Sequence, residues 1–188
     1  MNTTAAVALI KDAVDGRVGR WADLGAGDGT FTRALAELLG TGSHIFAVDR
    51  DPAALGALGR WSARHAPNVV PMEADFTLPL ALPALAEAPL DGILLANALH
   101  FVRDADAVLA GLVALVRPRG RVVLVEYDRR SASRWVPYPI PVTRLPSLAA
   151  AASLSPPIVT ATRPSAFAGM LYAAAADRVV RAPSRRSR

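Results

Sequence analysis

The chain of 188 residues has 21 Lys and Arg, 16 Asp and Glu and no cysteine, which gives a formal net charge of +5 at pH 7. With 52% hydrophobic and 20% charged residues, it is too apolar to be an intrinsically disordered chain. The lack of cysteine excludes disulfide scaffolds, thiolate metal sites and cysteine nucleophiles, and the length predicts one domain with a sizeable core.

The excess positive charge lies at the carboxyl end of the sequence. Residues 178–188 contain five arginines and no acid, so the rest of the chain carries 16 basic and 16 acidic side chains. We therefore expect a single domain over residues 1–177 and a basic, disordered tail over residues 178–188. A nucleic-acid-binding domain carries its basic face on the fold itself, which argues against a nucleic-acid partner. A weak contact of the tail with nucleic acid or a membrane surface is the alternative.

Neither a targeting segment nor a membrane span is predicted. The apolar run at residues 5–10 lacks a basic leader and is followed by Lys11 and Asp12, unlike a secretory signal. The longest uncharged stretch, residues 145–162, contains three prolines and several hydroxyl side chains, which makes it a poor span. The expected location is the cytoplasm.

The apolar pattern alternates between short strand-like runs and longer helical stretches. Helices are predicted at residues 4–14, 30–39, 52–64, 104–116 and 145–153. Strands are predicted at residues 20–24, 43–48, 68–73, 91–96, 121–126, 157–162 and 170–176. Asp51, which precedes Pro52, and Asp104 are the expected N-caps of their helices. Prolines break residues 76–89, which predicts an irregular crossover with a turn or two of helix.

The first five predicted strands are separated mostly by helices and read as continuous apolar runs. This pattern is typical of a parallel sheet that is buried on both faces. Right-handed crossovers then produce a doubly wound α/β sheet with helices on both faces. In an open sheet of this kind, ligands bind beyond the carboxyl ends of the strands.

Acidic side chains follow most of the strands at this predicted edge. The successive strands end in Asp23-Leu24-Gly25-Ala26-Gly27-Asp28-Gly29, in Asp49-Arg50, in Asp75-Phe76, in Asn97-Ala98-Leu99-His100 and in Glu126-Tyr127-Asp128. No lysine follows the glycines, so the loop does not read as a phosphate cradle. An acidic edge suits a cationic ligand that carries free hydroxyl groups.

In these motifs and their order, residues 18–128 resemble the class I S-adenosylmethionine-dependent methyltransferases. The loop that starts at Asp23 matches the family's acidic-x-Gly-x-Gly-x-Gly loop, and Asp49 and Asp75 match the acids after its second and third strands. The resemblance implies a mostly parallel, seven-stranded, doubly wound sheet whose last strand is antiparallel. It also implies S-adenosylmethionine as cofactor and S-adenosylhomocysteine as product.

The resemblance implies a cofactor-binding set of Asp23, Gly25, Ala26, Gly27, Asp49, Arg50, Asp75, Phe76 and Asn97. Asp49 would accept hydrogen bonds from both ribose hydroxyls, and Asp75 would accept one from the adenine amino group. Asp23 would orient the loop and contact the methionine ammonium directly or through water, with Asn97 as a second contact. The alternative for Asp49, Asp75 and Asn97 is a turn residue without a ligand.

A dinucleotide oxidoreductase is the nearest competing interpretation, because it shares the sheet, the glycines and the second acid. Its fingerprint is Gly-x-Gly-x-x-Gly. Counting from Gly25 places Thr30 in the third glycine position, and Gly29 falls one residue short. The sequence therefore favours the methyltransferase.

His100 is the first candidate for a general base, because it lies one helical turn after Asn97 and imidazole titrates near neutrality. The alternative for His100 is a partly buried packing residue. The next candidates are Glu126, Tyr127 and Asp128. Beyond them lies a stiff, proline-rich segment with Arg134, Trp135 and Tyr138, which forms either a wall of the acceptor pocket or a loop packed on the sheet edge.

The acceptor is expected to be a small organic molecule. The family's Asn/Asp-Pro-Pro-Tyr/Phe loop for bases and amides is missing, and three scattered histidines without cysteine indicate no metal site. Because little chain lies outside the sheet, we expect an open site or a homodimer that completes it. Two alternatives stay open: a nucleoside-binding regulatory or scaffolding subunit without turnover, and an RNA or protein methyltransferase that uses the arginine tail as an electrostatic tether.

Overall fold

The computed structural model describes residues 1–80, 88–165 and 169–180. The α-helices in these residues are α1 (Thr3–Val14), α2 (Thr30–Leu39), α3 (Pro52–His65), α4 (Ala105–Val113) and α5 (Leu145–Ala151). The strands are β1 (Arg20–Leu24), β2 (His44–Asp49), β3 (Val69–Glu73), β4 (Leu90–Ala96), β5 (Val116–Asp128), β6 (Ile158–Pro164) and β7 (Met170–Asp177). Short 3-10 turns cover Leu99–Phe101 and Val142–Arg144.

The strands form one sheet in the order β3-β2-β1-β4-β5-β7-β6. The first five strands pair in parallel, and β7 runs antiparallel to both of its neighbours, β5 and β6. The predicted seven-stranded, mostly parallel, doubly wound sheet with an antiparallel last strand is therefore confirmed. The strand order reverses between β1 and β4, and this is the switch point at which open α/β sheets bind ligands.

Two apolar layers cover the two faces of the sheet. On one face, Ile10 of α1 and Leu35 of α2 pack in a cluster with Trp21 of β1. On the other face, Leu109 of α4 and Leu148 of α5 belong to a second cluster. Since successive strand residues point to opposite layers, both must be apolar, and this explains the continuous apolar runs in the sequence.

Predicted and observed boundaries differ most around β5. The helix predicted over 104–116 ends at Val113, and the strand predicted over 121–126 already begins at Val116. Val116 is fully buried and pairs with Leu90, so its place in the sheet outweighs the helical pattern around it. The expected caps are confirmed, because Asp51 and Asp104 each accept backbone hydrogen bonds at the start of their helices.

The carboxyl end of the fold extends past the predicted boundary. The Arg178 backbone N–H donates to the Gly120 carbonyl at 2.9 Å, and the Arg178 carbonyl accepts from the Arg119 N–H at 2.9 Å. Backbone pairing therefore continues past the expected boundary at Asp177, whereas the division into a domain and a basic tail stays a prediction. Residues 181–188 of the expected tail, and residues 81–87 of the expected crossover, lie outside the described residues.

Candidate active site

Two connected cavities lie at the carboxyl ends of β1 to β4. The larger one, here called the main cleft, has a volume of about 430 Å³ and is lined by seven of the predicted residues: Gly25, Gly27, Asp49, Arg50, Asp75, Phe76 and Asn97. The smaller one, here called the side pocket, has a volume of about 280 Å³ and is lined by the other two, Asp23 and Ala26. Gly25, Gly27 and Asn97 line both cavities. The fold therefore brings the whole predicted set to one place.

The glycine loop leaves β1 in a conformation that suits glycine. Gly25 has φ 81°, in the left-handed region, and a Cβ built on it would lie 2.7 Å from the Ala98 Cβ. The Gly25 and Ala26 N–H groups both donate to the Val48 carbonyl, at 2.8 and 3.0 Å. The loop is thus anchored to β2 on one side, and the missing side chain leaves its backbone open to the main cleft.

Asp49 links the glycine loop to the start of α3. Its Oδ2 accepts from the Gly27 N–H at 2.7 Å, and its Oδ1 accepts from the Asp51 N–H at 2.9 Å. Each carboxylate oxygen can accept more than one hydrogen bond, so the group keeps capacity for a ligand in the main cleft. The sequence did not reveal this second task, which fixes the carboxylate in place before any ligand binds.

Asp75 is held by a tight local turn. Its Oδ1 accepts from the Thr77 N–H at 2.9 Å and from the Thr77 hydroxyl at 2.7 Å. The Thr77 hydroxyl and then its N–H lower the pKa of the Asp75 carboxyl below its ordinary value, against a small opposing effect of burial. Asp75 therefore presents a fixed, ionised acceptor at the wall of the main cleft.

Asp23 is a buried acid at the side pocket. Its Oδ2 accepts from the Thr32 hydroxyl at 2.6 Å, whereas its buried Oδ1 has no hydrogen-bond partner within the described part of the chain. Burial raises the pKa of Asp23 to about 7, with smaller contributions from the negative charges of Asp49 and Asp28. The Thr32 hydrogen bond acts in the opposite direction. A cation beside Oδ1 would satisfy both the unpaired atom and the buried charge.

A third cavity, here called the aromatic cleft, adjoins the main cleft. It has a volume of about 390 Å³ and is lined by Asn97, His100, Phe101, Tyr127, Arg130, Trp135 and Val136. It shares Asn97 and Phe101 with the main cleft. Of the further candidates from the sequence, Trp135 and Tyr127 line this cleft, whereas Asp128, Arg134 and Tyr138 do not.

Asn97 lies where the main cleft, the side pocket and the aromatic cleft meet, because it lines all three. Its backbone has φ 53°, and its N–H donates to the Val125 carbonyl at 2.8 Å. Its side-chain Oδ1 is buried without a hydrogen-bond partner among residues that the structure describes. A buried polar atom normally has a hydrogen-bond partner, so this oxygen is a candidate acceptor for a hydrogen bond from a bound ligand.

His100 forms a buried pair with Glu126. The His100 side chain is 2% exposed and that of Glu126 0%, and His100 Nδ1 lies 2.5 Å from Glu126 Oε2. The other carboxylate oxygen, Oε1, accepts from the Leu99 N–H at 3.0 Å and from the His100 N–H at 3.2 Å. Glu126 thereby orients the imidazole, and Nε2 has no hydrogen-bond partner in the described ranges. The sequence proposed Glu126 only as a second choice for the base, because nothing in its spacing shows the contact with His100.

The described residues contain no group of three or more His, Cys, Asp and Glu side chains that could hold a metal ion. The described helices likewise include none long and apolar enough to cross a membrane.

Comparisons with known proteins agree with this geometry. A family model described as a methyltransferase domain matches residues 22–122, which is more than half of the chain. No protein in the curated set matches the chain.

Several solved structures are similar to this chain in three dimensions. The 1,6-didemethyltoxoflavin-N1-methyltransferase of Burkholderia thailandensis, with bound 1,6-didemethyltoxoflavin and S-adenosylhomocysteine, superposes with a TM-score of 0.72 at 26% identity over 95% of this chain and 78% of that chain. The YcgJ protein from Bacillus subtilis has a TM-score of 0.73 at 12% identity over 95% and 100% of the two chains. The mitomycin 7-O-methyltransferase MmcR has a TM-score of 0.67 at 16% identity over 93% and 53%.

The similarity to the YcgJ protein and to MmcR supports the fold alone, whereas the family model and the Burkholderia thailandensis structure also support the activity. With the glycine loop, the ordered acids and the switch-point cleft in place, the chain belongs to the class I S-adenosylmethionine-dependent methyltransferases and uses S-adenosylmethionine as its cofactor.

Proposed function

We propose that this methyltransferase transfers the methyl group to a small-molecule acceptor that binds in the aromatic cleft, with His100 as general base. The observation that carries the proposal is the contact between the two clefts, which meet at Asn97 and Phe101 beside His100. A concave site of about 390 Å³ lies in the range that holds small ligands. The similar enzyme from Burkholderia thailandensis, which was crystallised with 1,6-didemethyltoxoflavin, supports an acceptor of this size class.

The unpaired buried atoms support the placement of the cofactor in these cavities. Asp23 Oδ1 and Asn97 Oδ1 are buried acceptors without partners in the described chain, and both residues line the side pocket, where an ammonium group would satisfy them. Asp49 would then accept from the ribose hydroxyls, and Asp75 from the adenine amino group. When bound, S-adenosylmethionine supplies an activated methyl group on a sulfonium, which is a good leaving group.

The chain's own residues must then place the acceptor and remove its proton. With Nδ1 donating to Glu126, Nε2 is the His100 atom that can accept a proton from an acidic O–H or N–H in the aromatic cleft. The Glu126 carboxylate stabilises the imidazolium that forms. Positioning is the other contribution, since two reactants held in line avoid much of the entropic cost of their encounter.

The buried His100–Glu126 pair also bears on the two alternatives. A nucleoside-binding subunit without turnover would not need an oriented imidazole beside a second cleft, so the pair favours an enzyme. An RNA or protein substrate would need a broad contact surface around the site, whereas a cleft of about 390 Å³ matches the size of a small molecule. The homodimer and the cytoplasmic location stay predictions.

The test is methyl transfer to a panel of small aromatic and aliphatic acceptors, with bulk RNA and a protein mixture as comparison substrates. His100→Gln should lower kcat by roughly 100-fold or more on an acceptor that must lose a proton, while S-adenosylhomocysteine affinity stays within twofold. His65→Gln is the matched control, because His65 is exposed on α3 and its Nδ1 lies 2.9 Å from the Trp61 carbonyl of the same helix. Full activity of His100→Gln would assign His100 to packing, and methylation of RNA or protein alone would contradict the proposal.

A further inference from the structure

We propose that the acceptor is a planar aromatic molecule that carries a negative charge, with its ring against Trp135 and Phe101 and its anionic group on Arg130. This inference rests on the proposed function, because it specifies the substrate class of the aromatic cleft. It is carried by three features: exposed aromatic rings, a rigid segment that presents one of them, and an arginine that forms no ion pair with the described residues.

The aromatic rings of this cleft are exposed to an unusual degree. Trp135 is 62% exposed and Phe101 is 53% exposed, although both line a concave site. The Phe101 ring lies 4.4 Å from the His100 ring, centroid to centroid, so an aromatic surface leads directly to the proposed base. Flat rings stack on such surfaces in offset or edge-to-face geometry, and an aliphatic ring gains less from them.

A closed backbone turn holds Trp135 in its exposed position. The backbone groups of Ser133 and Val136 bond each other in both directions at 3.1 Å, so Trp135 lies in the tip of a closed turn. Val136 is buried below the turn, and farther along the segment the Tyr138 N–H donates to the His100 carbonyl at 3.0 Å. The turn therefore holds Trp135 at the cleft before any ligand arrives, which lowers the entropic cost of binding.

Arg130 provides the charge. Its guanidinium carbon lies 4.5 Å from the centroid of the Tyr127 ring, and within the described part of the chain it forms no ion pair. Its N–H donors are thus available to a carboxylate or another anion, which a guanidinium can bind in a bidentate manner.

The surrounding acids do not neutralise Arg130. None of the described residues that line the aromatic cleft is an acid. Of the two acids next along the chain, Glu126 is bound to His100, and Asp128 accepts from the Val142 N–H and pairs with Arg129. By contrast, the described residues that line the main cleft and the side pocket include four acids and one cationic side chain, Arg50; the acids are Asp23, Asp28, Asp49 and Asp75. The site is therefore acidic where the cationic cofactor binds and basic where the acceptor would bind, and this complementarity favours an anionic acceptor.

The inference can be tested by calorimetric titration of three probes into the protein saturated with S-adenosylhomocysteine. The first probe is 6-hydroxy-2-naphthoate, which has the flat ring, the charge and an ionisable hydroxyl. The second is 6-hydroxy-2-naphthamide, which lacks the charge, and the third is trans-4-hydroxycyclohexanecarboxylate, which lacks the flat ring. The naphthoate should bind roughly tenfold or more tightly than each of the others.

Three variants separate the two contacts. Arg130→Gln should reduce the preference for naphthoate over naphthamide to less than about threefold. Arg129→Gln is its matched control, because it removes the same charge one residue away, from a side chain that is 87% exposed and outside the cleft. Trp135→Ala should weaken both naphthalene probes by several-fold and leave the cyclohexane probe unchanged.

The outcomes distinguish this inference from the proposed function. If S-adenosylhomocysteine does not bind, both fail. The inference is overturned if S-adenosylhomocysteine binds but the protein does not prefer naphthoate to the other two probes. It is also overturned if no probe binds with a Kd below 1 mM, which corresponds to a binding free energy of roughly 4 kcal/mol. In both cases cofactor binding and methyl transfer to other acceptors can still stand. A cofactor-loaded dimer that dissociates on Trp135→Ala would also overturn it, because the aromatic surface would then be an interface between copies of this chain.

Discussion

Asp23 combines full burial with a pKa of about 7 and an oxygen that has no partner among the described residues, and we therefore expect cofactor binding to depend on pH. Below pH 7 the free protein holds Asp23 protonated, so an ammonium ligand must first ionise it. Above pH 7 the carboxylate is already charged, and an ammonium ligand offsets the cost of burying that charge. The affinity for S-adenosylhomocysteine should therefore rise with pH up to about 7, by at most about tenfold per pH unit, and then level off.

Calorimetric titrations of S-adenosylhomocysteine at pH 6 and pH 8 would measure this dependence. Asp23→Asn should abolish it, because an amide does not titrate. Thr32→Val should move its midpoint upward, since the Thr32 hydroxyl stabilises the charged form of Asp23. Identical affinities of the natural protein at both pH values would contradict this role of Asp23.

We expect Glu126 to be a positioning residue that acts through His100, because its carboxylate contacts His100 Nδ1. In Glu126→Gln, the amide oxygen can still accept from the Leu99 and His100 N–H groups, but the NH₂ group then faces His100 Nδ1. The imidazole must move its proton to Nε2, the atom that has to accept one. We expect kcat to fall by roughly 100-fold or more with little change in KM for the cofactor.

Steady-state kinetics over a range of pH would distinguish this from a packing role, because the loss in Glu126→Gln should persist at every pH. Asp128→Asn is the control, since Asp128 holds the Val142 N–H and lies outside the aromatic cleft. Equal effects of the two substitutions would argue against the His100–Glu126 pair.

At the scale of elements, the glycine loop makes a prediction that depends on sterics alone. In Gly25→Ala, the new Cβ would meet the Ala98 Cβ at 2.7 Å, in addition to the strain of φ 81°. Gly16→Ala is a matched control, because Gly16 has φ 58° and nothing within 4 Å of a built Cβ. Both should lose about 1 to 2 kcal/mol of unfolding free energy from backbone strain, but Gly25→Ala should lose more and should also lose cofactor affinity.

Urea unfolding and cofactor titration of both variants would check this. Equal affinity of Gly25→Ala and the natural protein would show that the close approach of the loop to Ala98 is not needed for binding.

The elements also show what the sequence could and could not predict. Asp51 and Asp104 could be predicted as caps because capping depends on local spacing. The acids of the main cleft could be predicted because Asp49 ends β2 and Asp75 lies two residues after β3. Thr32 and Glu126 gained their roles only through contacts with residues 9 and 26 positions away, at Asp23 and His100. The first contact depends on how α2 packs on β1, and the second on the pairing of β4 with β5, and single-residue patterns contain neither.

The aromatic cleft illustrates the same limit. The sequence predicts that Trp135 either forms a pocket wall or packs on the sheet edge. In the structure it lines the aromatic cleft, where the closed turn between Ser133 and Val136 holds it. The early start of β5 at Val116 is another case, since pairing with Leu90 outweighs the local pattern.

At the scale of the whole molecule, we expect the residues up to Val180 to be needed for stability and residues 181–188 to be dispensable. A chain that ends at Val180 should keep the stability and activity of the natural protein. A chain that ends at Asp177 loses the Arg178 backbone pairs with Arg119 and Gly120, and the Arg178 guanidinium bonds to the Ala114 and Val116 carbonyls. It should lose about 2 to 6 kcal/mol of unfolding free energy, at about 0.5 to 1.5 kcal/mol for each of these four hydrogen bonds.

Urea denaturation of the two shortened chains would measure the difference. Equal stability would show that the sheet does not depend on Arg178. A loss of methyl transfer on removing residues 181–188 alone would instead support the tail as a tether for a charged substrate.

The most direct test of the account is calorimetric titration of S-adenosylhomocysteine into three proteins: the natural chain, Asp49→Ala and Asp51→Ala. Asp49 lines the main cleft and holds the glycine loop, whereas Asp51 caps α3 outside it. We expect binding to the natural protein, a loss of roughly tenfold or more in Asp49→Ala, and little change in Asp51→Ala. Binding that is equal in all three proteins, or absent from the natural one, would contradict the assignment of the main cleft to the cofactor.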